Sequence, residues 1–119
     1  MGDKEKILES FSGELRRGTL VLSVLSQLKQ PAYGYTLVQQ MKEQGLEIEQ
    51  NTLYPLLRRL EKQDILDSFW ELEEGRQRRY YRLSPFGLEV LEELVQEWTR
   101  NVQMVGVLLE REGLEDGNH

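Results

Sequence analysis

Apolar residues recur at intervals of three and four along most of this chain, and they give way to β-rich runs in one stretch only. Residues 3–11, DKEKILESF, place Ile7, Leu8 and Phe11 on one side and predict a short helical arm. Such an arm packs on its own domain or on a partner subunit. Residues 14–28, ELRRGTLVLSVLSQL, carry Leu15, Val21, Leu22, Leu25 and Leu28 at helical spacing. They are apolar around more than half the circumference, which predicts a central core helix. QPAY ends it, because a proline disfavours helix in the residue before it. Residues 33–45, YGYTLVQQMKEQG, predict a second helix with Leu37, Val38 and Met41 inward and Gly45 as a left-handed cap. Residues 46–50 read as a brief extended piece.

The next stretch, NTLYPLLRRLEKQDIL (51–66), is the most strongly patterned. At 100° per residue, Leu53, Leu56, Leu57 and Leu60 fall on one side. Asn51, Tyr54, Pro55, Arg58 and Lys62 fall on the other, with Arg59 at the boundary. Asn51 or Thr52 is the expected N-cap. Pro55 would then lie in or just past the first turn, where a missing N–H costs little. Residues 65–84, ILDSFWELEEGRQRRYYRLS, place two β-rich runs around EEGRQ and predict a hairpin. Alternation sends Tyr80 and Tyr81 to opposite faces, one toward the core and one outward.

Ser84 and Pro85 suit the cap and first turn of a last helix, over about 85–111, with a frayed end at 113–119. Leu88, Leu91, Val95, Trp98, Val102, Val105 and Leu109 alternate spacings of three and four, a seam of three heptads. Leu94 and Leu108 widen it. A helix of about 37 Å exceeds what one small head can cover, so the seam predicts self-association. The alternative is a helix packed only on its own domain.

The order helix, helix, helix, hairpin, long helix predicts a winged helix-turn-helix. The fold class is mainly α with a small β-hairpin. Residues 1–83 form the expected DNA-binding head with its N-terminal arm, and residues 84–119 the dimerisation helix and tail. In that fold the third helix enters the major groove by its N-terminal half. Arg58 and Arg59 can pair with guanine, Asn51 and Thr52 can reach base edges or phosphate, and Tyr54 can reach phosphate. Arg76, Arg78 and Arg79 on the hairpin would meet the flanking backbone or minor groove.

Composition changes this picture little. The chain has 119 residues, no Cys, and one His, at position 119. Disulfides, zinc–thiolate sites, catalytic triads and most metal sites are excluded, and no cofactor is expected. Asp67, Glu71, Glu73 and Glu74 lie in the hairpin beside arginines and read as solvated, so an enzyme is not expected. No apolar run reaches membrane-span length, which points to a cytoplasmic protein. The net charge of -6 argues against a polyanionic partner only until it is divided. Residues 1–50 carry a net -1, residues 51–83 a net +1, and residues 84–119 the remaining -6. RQRRYYR (76–82) holds four arginines and no acid, and a local basic surface decides nucleic-acid affinity.

Taken singly, a Leu-striped helix with basic outer residues is an ordinary solvated helix, and an arginine-rich loop is a solubilising one. Their occurrence in consecutive elements favours DNA binding. The competing expectation is a winged-helix protein–protein interaction module without specific DNA binding. Arg58, Arg59, Arg76, Arg78 and Arg79 speak against it, since such a module need not keep a basic face.

AYGYTLVQQM, NTLYPLLRRLEKQDIL and SFWELEEGRQRRYYRLSPFG, followed by a long helix, resemble the PadR family of transcriptional regulators, in its short subgroup with one C-terminal helix. The resemblance spans about residues 14–110. It implies a homodimeric repressor of a pseudo-palindromic operator, released in many members by small aromatic or phenolic compounds. By matching position it places Tyr33 and Tyr35 in the second helix, and Thr52, Tyr54, Pro55, Arg58 and Arg59 in the recognition helix. Gly75, Arg76, Arg78, Arg79, Tyr80 and Tyr81 fall in the wing. Tyr33, Tyr80 and Tyr81 could equally be core residues with a surface hydroxyl. Trp98 would be either an interface anchor or, facing its symmetry mate, one wall of a slot for a planar aromatic effector. Two departures stand out. Asn51 occupies a frequent Gly position, and Asp64-Ile65 replaces a common Asp-Gly-Leu or Asp-Gly-Ile turn. Because Ile65 resists left-handed backbone, that turn is expected to differ.

Overall fold

Seven elements make up the chain in the computed structural model, which describes residues 2–118 and the side chains of 2–110. They are α1 (Gly2–Ser26), β1 (Ala32–Tyr33), α2 (Gly34–Glu43), α3 (Gln50–Lys62), β2 (Leu66–Glu73), β3 (Arg76–Leu83) and α4 (Pro85–Asn118). The chain is mainly helical with one three-stranded antiparallel sheet, order β1-β3-β2. The last helix, expected over about 85–111 with a frayed end at 113–119, runs on to Asn118.

The core is built from the stripes expected. Leu53, Leu56, Leu57 and Leu60 of α3 are all buried. They meet Val24 and Leu25 of α1, Leu28 just after it, Leu37 and Met41 of α2, Leu66 of β2 and Tyr81 of β3. Each fully buried leucine contributes about 1.5–3 kcal/mol relative to exposure. This one cluster orients α3, because the helix cannot turn about its axis without lifting four leucines into water.

Residues 3–11 and 14–28 do not form two helices. Gly13 is absorbed into α1, and Val24 and Leu25 are that helix's only buried residues. Ile7, Leu8 and Phe11 are exposed, and Leu15 is 75% exposed. The arm therefore leaves its own head uncovered, which removes one of its two expected packings. The chain is correspondingly elongated, 66 × 37 × 23 Å.

The wing is a two-residue hairpin. Glu73 pairs with Arg76, and the loop residues Glu74 and Gly75 sit at φ 50° and 77°. Two successive positive φ values match the twist of the strands, and glycine takes one of them without a Cβ penalty. β1 was not legible as a strand. It adds to the other edge of β3 through Ala32–Tyr81 and Tyr33–Tyr80 alone, too short for any alternation to show.

Two local expectations are corrected. The N-cap of α3 is Glu49, in extended conformation, without a side-chain cap bond. Asn51 and Thr52 thus lie inside the first turn, and Pro55 falls in the second, where it has no N–H to give the Asn51 carbonyl. The turn after α3 does take left-handed backbone, but at Asp64 (φ 63°) rather than at Ile65. Aspartate tolerates that region, so Ile65 is left to bury its side chain.

Ser84 caps α4 as expected. Its Oγ accepts from the Gly87 N–H at 2.9 Å and donates to the Asp64 carbonyl at 2.6 Å, joining the start of α4 to the turn behind α3. Leu91, expected in the intermolecular seam, is 2% exposed and belongs to the core of its own chain. Val90 and Leu94 pack beside it. A 34-residue helix is about 51 Å long, and between Val95 and Glu110 every residue of α4 except Gly106 is exposed.

The left-handed position gives a direct test. Asp64→Ile should lower stability by roughly 1–2 kcal/mol in urea unfolding, whereas Asp64→Gly should not lower it.

Candidate nucleic-acid interface

With its leucines inward, α3 presents Asn51, Thr52, Pro55, Arg58, Arg59 and Lys62 to solvent, all exposed. Tyr54 is half-buried because it lies across the start of α2. A Cβ on Gly34 would come within 2.0 Å of Tyr54 Cε1, so the Tyr-Gly-Tyr sequence at 33–35 is a seat for that ring. The sequence placed the two tyrosines in the site and left the role of the glycine between them unread.

The start of α2, the middle of α3 and the wing enclose an open cleft of about 310 Å³. It is lined by Tyr33, Gly34, Tyr35, Tyr54, Arg58, Gln77, Arg78, Arg79 and Tyr81. Six of the residues expected to bind DNA are therefore brought together in one concavity. Asn51, Thr52, Pro55, Arg59 and Lys62 lie on the exposed surface of α3, and Arg76 lies exposed beside the hairpin loop. Arg58, Arg59, Lys62 and Arg76 form no salt bridge among the described residues. A backbone phosphate meeting them would displace no internal partner.

The other wing arginines are held. The Arg78 guanidinium lies 4.6 Å from the centroid of the Tyr33 ring, with its Nε 3.6 Å from Glu73. Arg79 Nη2 donates to Glu61 Oε1 at 2.7 Å, and its Nε donates to Ser68 Oγ at 3.2 Å. The sequence grouped Arg76, Arg78 and Arg79 as equivalent, but only Arg76 is unengaged. Glu61 and Ser68 were not singled out. The signal was present in hairpin alternation, which puts Ser68, Arg79 and Tyr81 on one face.

The tyrosine pair also resolves. Tyr81 is the core residue, and burial raises its pKa against the opposing effect of the Arg79 charge. Tyr80 occupies the outer face, where it meets Tyr33 edge-on at 5.3 Å and stacks on Phe69 at 5.6 Å. Its hydroxyl donates to Glu73. That bond, with desolvation, pushes its pKa to about 12. Trp70, on the face of Arg79, is 62% exposed, and Leu72 beside it is also open to water.

On α4 the remaining seam residues, Leu88, Val95, Trp98, Val102, Val105 and Leu109, are all exposed, Trp98 to 46%. No helix of the described residues is long and apolar enough to cross a membrane.

The profile of the transcriptional regulator PadR-like family matches residues 21–93, from the buried end of α1 through the wing to the core-packed start of α4. The chain belongs to this family. A solved PadR family transcriptional regulator from Eggerthella lenta is 49% identical to it, with a TM-score of 0.88 over 92% of this chain and 98% of that one. A PadR-like transcriptional regulator from Bacillus cereus superposes with a TM-score of 0.74 at 29% identity, over 81% and 96% of the two chains. The transcriptional regulator Rv3488 of Mycobacterium tuberculosis is 35% identical over 81 residues, 67% of this chain and 76% of its own length. The PadR-like family is one of transcriptional regulators and is not an enzyme class.

The seat for Tyr54 is testable. Gly34→Ala should cost about 1–3 kcal/mol, because the ring must shift against packed neighbours. In a Tyr54→Ala background the same change should cost less than about 0.5 kcal/mol, since nothing is left to collide. Chemical denaturation of the four proteins checks both.

Proposed function

We propose that the protein is a homodimeric, DNA-binding transcriptional repressor in the cytoplasm, and that it reads a pseudo-palindromic operator. The observation that carries this reading is the outward face of α3. Three exposed cations on it, Arg58, Arg59 and Lys62, with exposed Arg76 at the hairpin end, accompany a cleft lined by Tyr33, Tyr35, Tyr54 and Tyr81. Arginine supplies bidentate donors for guanine, and tyrosine, asparagine and threonine supply hydrogen bonds to phosphate. The acidic balance of the chain resides in 84–119, outside α3 and the wing in sequence.

Dimerisation through α4 follows from its open apolar seam. Residues 84–119 then act as the dimerisation segment, and residues 1–83 as the reading head. Leu91 completes the head rather than the seam. A two-fold axis along the seam sets two copies of α3 about 34 Å apart, one turn of duplex. Trp98 lies mid-seam, so two indoles face each other across the axis and offer stacking surface to a small planar aromatic molecule. Such a ligand would alter the angle between the heads and thereby operator affinity. Repression itself rests on the family likeness.

Fluorescence anisotropy on the duplex upstream of the protein's own gene tests DNA binding. Affinity should fall steeply with salt. Arg58→Ala should cost about 1–3 kcal/mol and flatten base preference at one position per half-site. Arg76→Ala should weaken all duplexes alike and reduce the salt slope by about 1 per subunit. Binding that ignores salt would defeat the proposal.

For the effector, planar aromatics should quench Trp98 emission in the dimer after subtraction of the Trp70 signal. A Trp98→Leu protein that still dimerises by light scattering should show no such quenching.

A further inference from the structure

The wing changes character at Arg79. Tyr80 and Tyr81 are the only residues of β3 that pair with β1, so the sheet is three-stranded there. From Arg79 to the loop the wing is a two-stranded ribbon. Such ribbons are marginally stable alone and variable in twist. At this narrowing the structure places its densest side-chain hydrogen-bond network. Arg79 Nη2 donates to Glu61 Oε1 at 2.7 Å and to Ser68 Oγ at 3.2 Å, and Arg79 Nε donates to the same Oγ at 3.2 Å. The Ser68 hydroxyl donates in turn to Glu61 Oε2. Tyr81 and Trp70 lie 5.5 and 5.8 Å from the guanidinium.

Glu61 is the penultimate residue of α3. Among the described residues, its bonds to Ser68 and Arg79 are the side-chain hydrogen bonds that join α3 to the sheet. We propose that Glu61 is a positioning residue: it fixes the angle of the wing to α3 by gripping Arg79 and Ser68, and it takes Arg79 out of the set of phosphate contacts. The proposal rests on the DNA-binding reading above. Its physical motive is a conflict of sign. A carboxylate beside a helix that approaches phosphate repels the ligand, so electrostatics alone favours its removal. Geometry must supply what that repulsion costs. Two reading elements held at one spacing engage a duplex together, whereas a swinging wing pays for its own ordering on every encounter.

A duplex enriched from a random-sequence pool by the unmodified dimer, and a scrambled control, serve as probes in anisotropy titrations across a salt series. Glu61→Ala and Arg79→Ala should each lower affinity for the enriched duplex by about tenfold, and the double variant should be no worse than either. Affinity for the scrambled control and the salt slope should not change. Arg79→Lys should behave like Arg79→Ala, because it keeps the charge and loses the fork. Glu61→Gln, which retains an acceptor, should lose less. If Glu61→Ala prevents folding, Ser68→Ala takes its place, with a smaller loss confined to the enriched duplex.

Tighter binding by Glu61→Ala on both duplexes would overturn the proposal. So would a salt slope reduced by Arg79→Ala and restored by Arg79→Lys, which marks a phosphate contact, or a Ser68→Ala protein indistinguishable from the parent. Should the unmodified dimer enrich no sequence at all, the DNA-binding reading falls first and this proposal with it.

Discussion

Everything on the outward face depends on the burial of four leucines of α3. Leu53, Leu56, Leu57 and Leu60 fill one side of the helix and lock it against α1, α2 and the base of the wing. Rotation by one residue step would expose leucine and bury arginine, and both changes are costly. Arg58, Arg59 and Lys62 are therefore held outward by what lies behind them. The Tyr54 ring extends the same logic sideways, since its seat on Gly34 sets how near α2 may lie to α3.

The wing sets acidic residues opposite arginines in its strand register, while its closed ion pair is the diagonal one between Glu73 and Arg78. Glu71 stands opposite Arg78, Asp67 opposite Arg82 and Glu73 opposite Arg76. Opposite charges at such positions stabilise a ribbon modestly and keep its exposed edges soluble. The arginine run at 76–82 is consequently less basic in three dimensions than in one. Arg82 lies over Phe69, Arg78 over Tyr33, and Arg79 is held by Glu61. Basic character is concentrated instead on the exposed cations of α3 and at the hairpin end.

Much of this was legible in one dimension because it obeys a period. The leucine stripe of α3, the hairpin around Glu74 and Gly75, the Ser84 cap and the inward residues of α2 all follow spacing rules that a single sequence displays. What escaped was short or three-dimensional. β1 is two residues long and exists only because β3 offers it an edge. The continuity of α1 through Gly13 was masked by a residue that usually interrupts helices. Leu91 obeys the heptad spacing of the seam and yet faces its own core, since spacing reports a helix face and not its neighbour. In the candidate site, the tyrosines and Arg58 were found by pattern and family likeness. Glu61, Ser68 and the function of Gly34 were not, because their contacts span up to 20 positions along the chain and leave no periodic trace.

Pro55 has a consequence for the recognition surface that no side-chain inventory would list. An α-helix ordinarily consumes every interior carbonyl, so its outer face offers a ligand only side chains. By lacking an N–H, Pro55 leaves the Asn51 carbonyl, one turn back, without its usual helical donor. The ring of Pro55 stands where that donor would be, so the second turn of α3 is held by the fixed φ of the proline and by Leu53, Leu56 and Leu57 behind it rather than by a complete ladder.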